Sequence, residues 1–92
     1  MVIKFFKSKN CPDCPKAEIN VNDVLSELKI TENVEVYDIS TNDGLIEALN
    51  NMVMASPALV LENKILDKSV LLDKNKLKAL IQERNERHKR FD

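Results

Sequence analysis

Two cysteines stand at positions 11 and 14 of a 92-residue chain that contains no others. Thiols separated by two residues can close a disulfide and reopen it, or can supply half of a metal site. The segment Asn10-Cys11-Pro12-Asp13-Cys14-Pro15 lies where a short apolar stretch gives way to an amphipathic one. With Cys11 as N-cap of the following helix, Pro12 falls on the first helical position, where its fixed φ suits and its missing N–H costs nothing. Cys14 is then one turn along on the same side. In a regular helix, residues three apart have Cβ atoms about 5–6 Å apart, too far for the ~3.8 Å of a disulfide. The spacing works only if the first cysteine sits just outside the helix.

That placement also sets reactivity. Free N–H groups and the positive end of the helix dipole favour a thiolate at Cys11. A stabilisation of about 2 kcal/mol would take the fraction ionised near neutrality from a few per cent to roughly half. Lys7, Lys9 and Lys16 add to the effect. Asp13 opposes it, but an exposed carboxylate acting through water should count for less than the dipole. Cys14, a turn inside, is expected to be the more buried and to resolve a mixed disulfide rather than start the attack. Pro15 conflicts with the pattern, since it disfavours helical geometry at Cys14 and removes an N–H. A distorted first turn is predicted, with the helix start unmoved.

The elements that must hold this pair follow from periodicity. Val2 to Phe6 is β-branched and aromatic and reads as a buried strand. Ala17, Val21, Val24, Leu25 and Leu28 recur at helical spacing as one apolar stripe, with Ile19 off it. Val34 to Ile39 alternates as a strand. Ser40 to Asp43 offers a choice of N-caps, and Leu45, Ile46, Leu49 and Met52 are expected to form the inward stripe of a second helix. Ala58 to Leu61 is a third strand, and a tight turn at 62–64 leads to a short fourth at Ile65 and Leu66. Val70 to Leu72 reads as an apolar connection. Asp73 caps a last helix that turns Leu77, Leu80 and Ile81 inward. From Gln82 to Asp92 the expectation is a solvated helix end fraying into a charged tail. His88 and Phe91 continue that helix's inner face, so a contact with a second subunit is the lesser alternative to a monomer.

The order is thus β-α-β-α-β-β-α in a single domain spanning 1–92: an α/β fold with a four-stranded mixed sheet flanked by three helices. The first two strands are expected to be parallel through a right-handed crossover, and the last two antiparallel.

Acids and bases are interspersed and the net charge is −1, which offers no surface for nucleic acid or a membrane. No apolar run reaches the roughly 18 residues of a membrane span. The first residues enter a strand directly, without the pattern of a signal peptide. A soluble, cytoplasmic protein is expected, and in a reducing compartment a cysteine pair points to catalysis or metal binding rather than to a structural staple.

In its motif, its element order and the placing of Ser56-Pro57 directly before the third strand, the chain resembles the thioredoxin/glutaredoxin superfamily over about residues 1–82. The Cys-Pro-x-Cys-Pro form is similar to small glutaredoxin-like thioredoxins. This resemblance implies a thioredoxin-like fold and a thiol–disulfide oxidoreductase with Cys11 as nucleophile and Cys14 as resolving thiol. It also implies a cis proline at Pro57 beside the disulfide. The backbone of Ser56 would pair with substrate like an added strand, with Pro12 and Asp13 completing the substrate-facing surface. The same resemblance implies that Pro57 shields the thiols from metals. No bound cofactor is needed. Implied partners are disulfide-containing protein substrates, a ribonucleotide reductase among the candidates, and an upstream reductase.

Three features depart from the family pattern. The glycine pair that glutathione-using members carry before the last helix has no counterpart in 68–72, which weakens the expectation of glutathione use. Asn10 stands where thioredoxins carry tryptophan. No buried carboxylate is evident behind the disulfide, and Asp13 is the nearest group for proton transfer. Two rival functions remain at this level. One is a metal-binding module, which would need ligands beyond two cysteines and a remote His88. The other is a non-catalytic sensor or adaptor that keeps the fold.

Overall fold

The computed structural model describes residues 1–91, with side chains described through Arg87. Its strands are β1 (Ile3–Lys7), β2 (Val34–Asp38), β3 (Ala58–Leu61) and β4 (Lys64–Leu66). The helices are α1 (Cys14–Glu27), α2 (Asn42–Asn50), α3 (Lys68–Leu71) and α4 (Lys74–Phe91). The sheet runs β2-β1-β3-β4. β1 and β2 are parallel, with Phe5 opposite Val36, while β3 lies antiparallel to both β1 and β4. This is the mixed four-stranded sheet expected from the sequence, and α2 falls between β2 and β3 as its pattern required.

Alternation in the two central strands builds a core on each face of the sheet. Ile3 and Phe5 of β1 and Leu59 and Leu61 of β3 point one way, into a cluster closed by Ala17, Val21, Val24 and Leu25 of α1 and by Leu71, Leu77 and Ile81. Phe6, Ala58 and Val60 point the other way and meet Ala48 and Val53. Strands covered on both faces are apolar throughout, and all four residues of β3 are buried. Tyr37 stacks on Phe6 with ring centroids 5.4 Å apart, carrying the second core toward the β2 edge.

Three expectations need correction. α1 begins at Cys14 with Asp13 as N-cap, so the helix start is shifted by two residues, the N-cap moving from Cys11 to Asp13. Pro15 is the cause. With Cys11 as N-cap, Pro15 would occupy the position whose N–H must make the first helical bond, and it has none to give. With Asp13 as N-cap it falls at N2, where no bond is lost.

The second correction concerns α2. Its buried residues are Gly44 and Ala48, whereas Leu45, Ile46, Leu49 and the following Met52 are exposed. The helix lies so close to the end of β2 that a Cβ at Gly44 would overlap the backbone carbonyl of Asp38. Only the smallest residues fit the inward face, and the bulky ones are turned out.

Third, the described residues form four helices rather than three, because Val70 and Leu71 of the apolar connection belong to the single-turn α3 and Leu72 is its C-cap. Asp67 caps it, its Oδ1 accepting from the N–H groups of Ser69 (3.1 Å) and Val70 (3.4 Å). Buried Asn20 of α1 donates to the Leu71 carbonyl at 2.9 Å, tying this turn to the long helix. The charged segment after Gln82 continues α4 to Phe91, in keeping with the helix end suggested by the sequence. The side chains of His88 and Phe91 lie outside the described residues.

Candidate active site

Cys11 and Cys14 are joined in a disulfide with Cα atoms 5.3 Å apart, inside the usual range for such a bond. The loop that allows this is a turn. The Cys14 N–H donates to the Cys11 carbonyl at 3.2 Å, and Asp13 at φ −89° and ψ −13° has the geometry of the third residue of a type I turn. Pro12 occupies the second position, where its fixed φ is favoured. The Cys-Pro-Asp-Cys sequence is therefore a complete β-turn placed against the helix, and α1 starts on its last residue.

Exposure differs between the two sulfur-bearing residues as the sequence suggested. Cys14 is 3 % exposed and Cys11 is half-buried. They line a pocket of about 330 Å³ with Lys7, Ser8, Lys9, Pro15, Glu18 and Asp38. Lys7 and Lys9 are thus placed as expected, whereas Lys16 is not among the lining residues. Backbone N–H donation from Ser40 at 2.8 Å holds the Asp38 carboxyl below the usual carboxylate range, with smaller contributions from Lys9 and Lys7. Asp13, the expected proton-transfer group, turns its carboxylate to Lys68 Nζ at 2.8 Å. The acidic residues that line the disulfide pocket are instead Glu18 and Asp38.

The Ser56–Pro57 peptide bond is cis, and Pro57 is buried at the start of β3. Both residues border a second, largely apolar groove of about 640 Å³, formed with Met52, Met54, Ile65 and Lys68 among others. Two ties connect this groove to the disulfide loop. One is the Asp13–Lys68 ion pair, and the other is a 2.8 Å hydrogen bond between the hydroxyls of Ser8 and Ser56. The structure thus brings Cys11, Cys14, Asp13, Ser56 and Pro57 to one end of the sheet, while Pro12 is exposed on the turn.

Ser8, Asp38 and Lys68 were not singled out by sequence. Ser8 had a usable signal, since extending the antiparallel β1–β3 pairing two places beyond Phe6 and Ala58 sets it opposite Ser56. Asp38 and Lys68 come from other elements and carry no local mark.

Comparison with known proteins identifies the family and the fold. The family model described as Thioredoxin domain matches residues 1–82. A protein named Probable Thioredoxin from Archaeoglobus fulgidus is 39 % identical over 83 residues, covering 88 % of this chain and 86 % of its own. Among solved structures, thioredoxin 1 from Thermosipho africanus superposes with a TM-score of 0.64 at 18 % identity, over 92 % of this chain and 99 % of that one, a likeness of fold. The chain therefore belongs to the thioredoxin family, whose shared chemistry is thiol–disulfide oxidoreduction.

Proposed function

We propose that this protein is a dithiol–disulfide oxidoreductase acting on protein disulfides, with Cys11 as the attacking thiolate and Cys14 as the resolving thiol. The observation that carries the reading is the asymmetry of the disulfide: Cys11 is reachable from solvent and Cys14 is buried at the first position of α1. In the reductive direction, Cys11 Sγ attacks one sulfur of a substrate disulfide. A mixed disulfide forms and the other substrate sulfur leaves as a thiolate that takes up a proton. Cys14, giving up its proton, then attacks Cys11 Sγ. The second substrate sulfur leaves, and the Cys11–Cys14 disulfide holds the pair of electrons' worth of oxidation taken from the substrate. An upstream dithiol or flavin-dependent reductase returns two electrons and two protons.

The cis-Pro57 segment supports the substrate side of this reading. Ser56 precedes β3 at the disulfide end of the sheet, where its backbone can pair with an extended substrate segment. No helix among the described residues is long and apolar enough to cross a membrane. We place the protein in a reducing, cytoplasmic setting, where the cycle can be driven toward reduction of substrates such as a ribonucleotide reductase.

Reduction of insulin disulfides with dithiothreitol as donor tests the reading. Cys11→Ser should abolish turnover, and Cys14→Ser should trap a mixed disulfide with substrate. Preferential alkylation of Cys14 in the reduced protein would reverse the two roles. A protein that binds disulfide substrates without turning over would be an adaptor instead. Titration of the couple against glutathione and dithiothreitol buffers then sets the direction, with a value near −270 mV marking a reductant and one near −120 mV an oxidant, the approximate extremes for such proteins.

A further inference from the structure

Asp13 is the N-cap of α1, and aspartate is among the best capping side chains, yet its carboxylate makes no cap hydrogen bond. It is held instead by Lys68 Nζ, 2.8 Å from Oδ2. A cap at this helix would have one donor to find. The Cys14 N–H is taken by the Cys11 carbonyl, Pro15 has no N–H, and the Ala17 N–H makes the first helical bond to the Asp13 carbonyl at 3.0 Å. What is left is the N–H of Lys16 at N3, one of the donors that an N-cap side chain ordinarily serves.

We infer that Lys68 is a positioning residue of the disulfide centre: by holding the Asp13 carboxylate it keeps that anion off the Lys16 N–H. The donor and the positive end of α1 are thereby left to the thiolate that Cys11 becomes on reduction. The inference rests on Cys11 being the attacking thiol. Two anions compete for one helix end, and the ion pair decides which of them has it. As a contribution to stability the pair is minor, because the two side chains are 60 % and 37 % exposed. Its consequence lies in where the carboxylate is not.

The placement of Lys68 is itself fixed. It is the first residue of α3, a turn capped by Asp67 and tied to α1 through the Asn20 bond to Leu71. It also borders the groove that starts at Ser56 and Pro57. The disulfide turn is therefore clamped on the side where the proposed substrate ledge lies.

The test is a double-mutant cycle on reduced protein, with Lys68→Gln, Lys68→Arg, Asp13→Ala and the Asp13→Ala/Lys68→Gln pair. The readouts are the pH midpoint of Cys11 alkylation by iodoacetamide, resolved by mass spectrometry, and the reduction potential of the couple. Lys68→Gln should move the midpoint to higher pH, slow alkylation near neutrality about two- to five-fold, as expected for a charge at a helix end, and make the couple more reducing. Lys68→Arg should keep the behaviour of the parent protein. With Asp13 already alanine, Lys68→Gln should have less than half its original effect. An equal effect in both backgrounds would mean that Lys68 acts only as a charge through space, and that result overturns the inference, as does no effect in either. Failure of the proposed function is seen separately, in the parent protein, if Cys11 is not the readily alkylated thiol.

Discussion

The hydroxyls of Ser8 and Ser56 lie 2.8 Å apart, as a cross-strand pair that extends the β1–β3 register past the last paired residues toward the disulfide. This bond joins the segment entering the cysteine turn to the segment entering β3 through the cis proline. Ser8→Ala should cost about 0.5–1.5 kcal/mol of stability, the net worth of a typical hydrogen bond. It should also lower kcat/KM for insulin reduction by a few-fold. Denaturant unfolding and the turnover assay read these separately. Lost stability with unchanged kcat/KM would confine the pair to a structural role.

Gly44 and Asp38 give the second prediction. In an exposed helix, Gly→Ala usually stabilises by roughly 1 kcal/mol. At Gly44 the added Cβ would meet the Asp38 backbone, which cannot yield without moving the end of β2. Gly44→Ala should therefore destabilise, by about 1–3 kcal/mol as for other overpacked sites. Because Asp38 also lines the disulfide pocket, the change should be felt there as an altered rate of Cys11 alkylation. A gain in the denaturant midpoint would show that α2 can lift from the sheet at little cost.

What the sequence made legible follows from how strongly each element is determined locally. β3 has the boundaries expected, Ala58–Leu61, because a four-residue apolar run between Pro57 and a turn admits few other readings. The stripe of α1 is also as expected, since Ala17, Val21, Val24 and Leu25 are all buried. Periodicity misplaces the face of α2 because it ranks side chains by hydrophobicity, whereas here the helix-to-strand separation selects by size. Local pattern misplaces the start of α1 because a proline at N1 looks as good as one at N2 until the bond demanded of Pro15 is counted. Lys68 is invisible in sequence for another reason: its partner is 55 positions away, and only the docking of α3 brings the two together.

The exposed side of α2 can be tested directly. Leu49 is 57 % exposed and Ala48 is buried. Leu49→Lys should change stability by less than about 0.5 kcal/mol, whereas Ala48→Leu should cost about 1–3 kcal/mol. The reverse ranking in denaturant unfolding would restore the inward leucine stripe that the sequence suggested.

Tyr37 is the chain's one tyrosine and there is no tryptophan, so its ionisation can be followed by absorbance without interference. The hydrogen bond that its hydroxyl donates to the Glu35 carboxylate is the main cause of a pKa pushed up to about 12. Glu35→Gln should bring the midpoint down toward the ordinary value of 10.0. With a folded value above the unfolded one, the interaction stabilises below pH 10.0 and is lost as pH rises toward about 12. A midpoint that does not respond to Glu35→Gln would remove the bond as its cause.

Glu27 joins α1 to α4, with Oε2 2.7 Å from Lys74 Nζ and Oε1 3.1 Å from Lys78 Nζ. The bond from Lys74, followed by that from Lys78, holds the Glu27 carboxyl below its ordinary 4.5, and Lys74 is correspondingly raised above 10.5. The two directions agree. A depressed carboxylate contributes stability that is fully present above 4.5 and is lost as pH falls through its folded value. A raised lysine contributes stability that is present below 10.5 and lost above it. The cluster therefore acts across the range between these limits, and more weakly at high salt because all three side chains are solvent-exposed in part. Asp38, Glu47 and Asp67 are also depressed, so acid lability of the whole protein does not isolate this site. Comparison with Glu27→Gln does. The variant should unfold at lower denaturant than the parent near neutrality, and the gap should close as pH falls below 4.5. A gap that persists unchanged in acid would mean that Glu27 acts through its aliphatic stem against α4 and not through its charge.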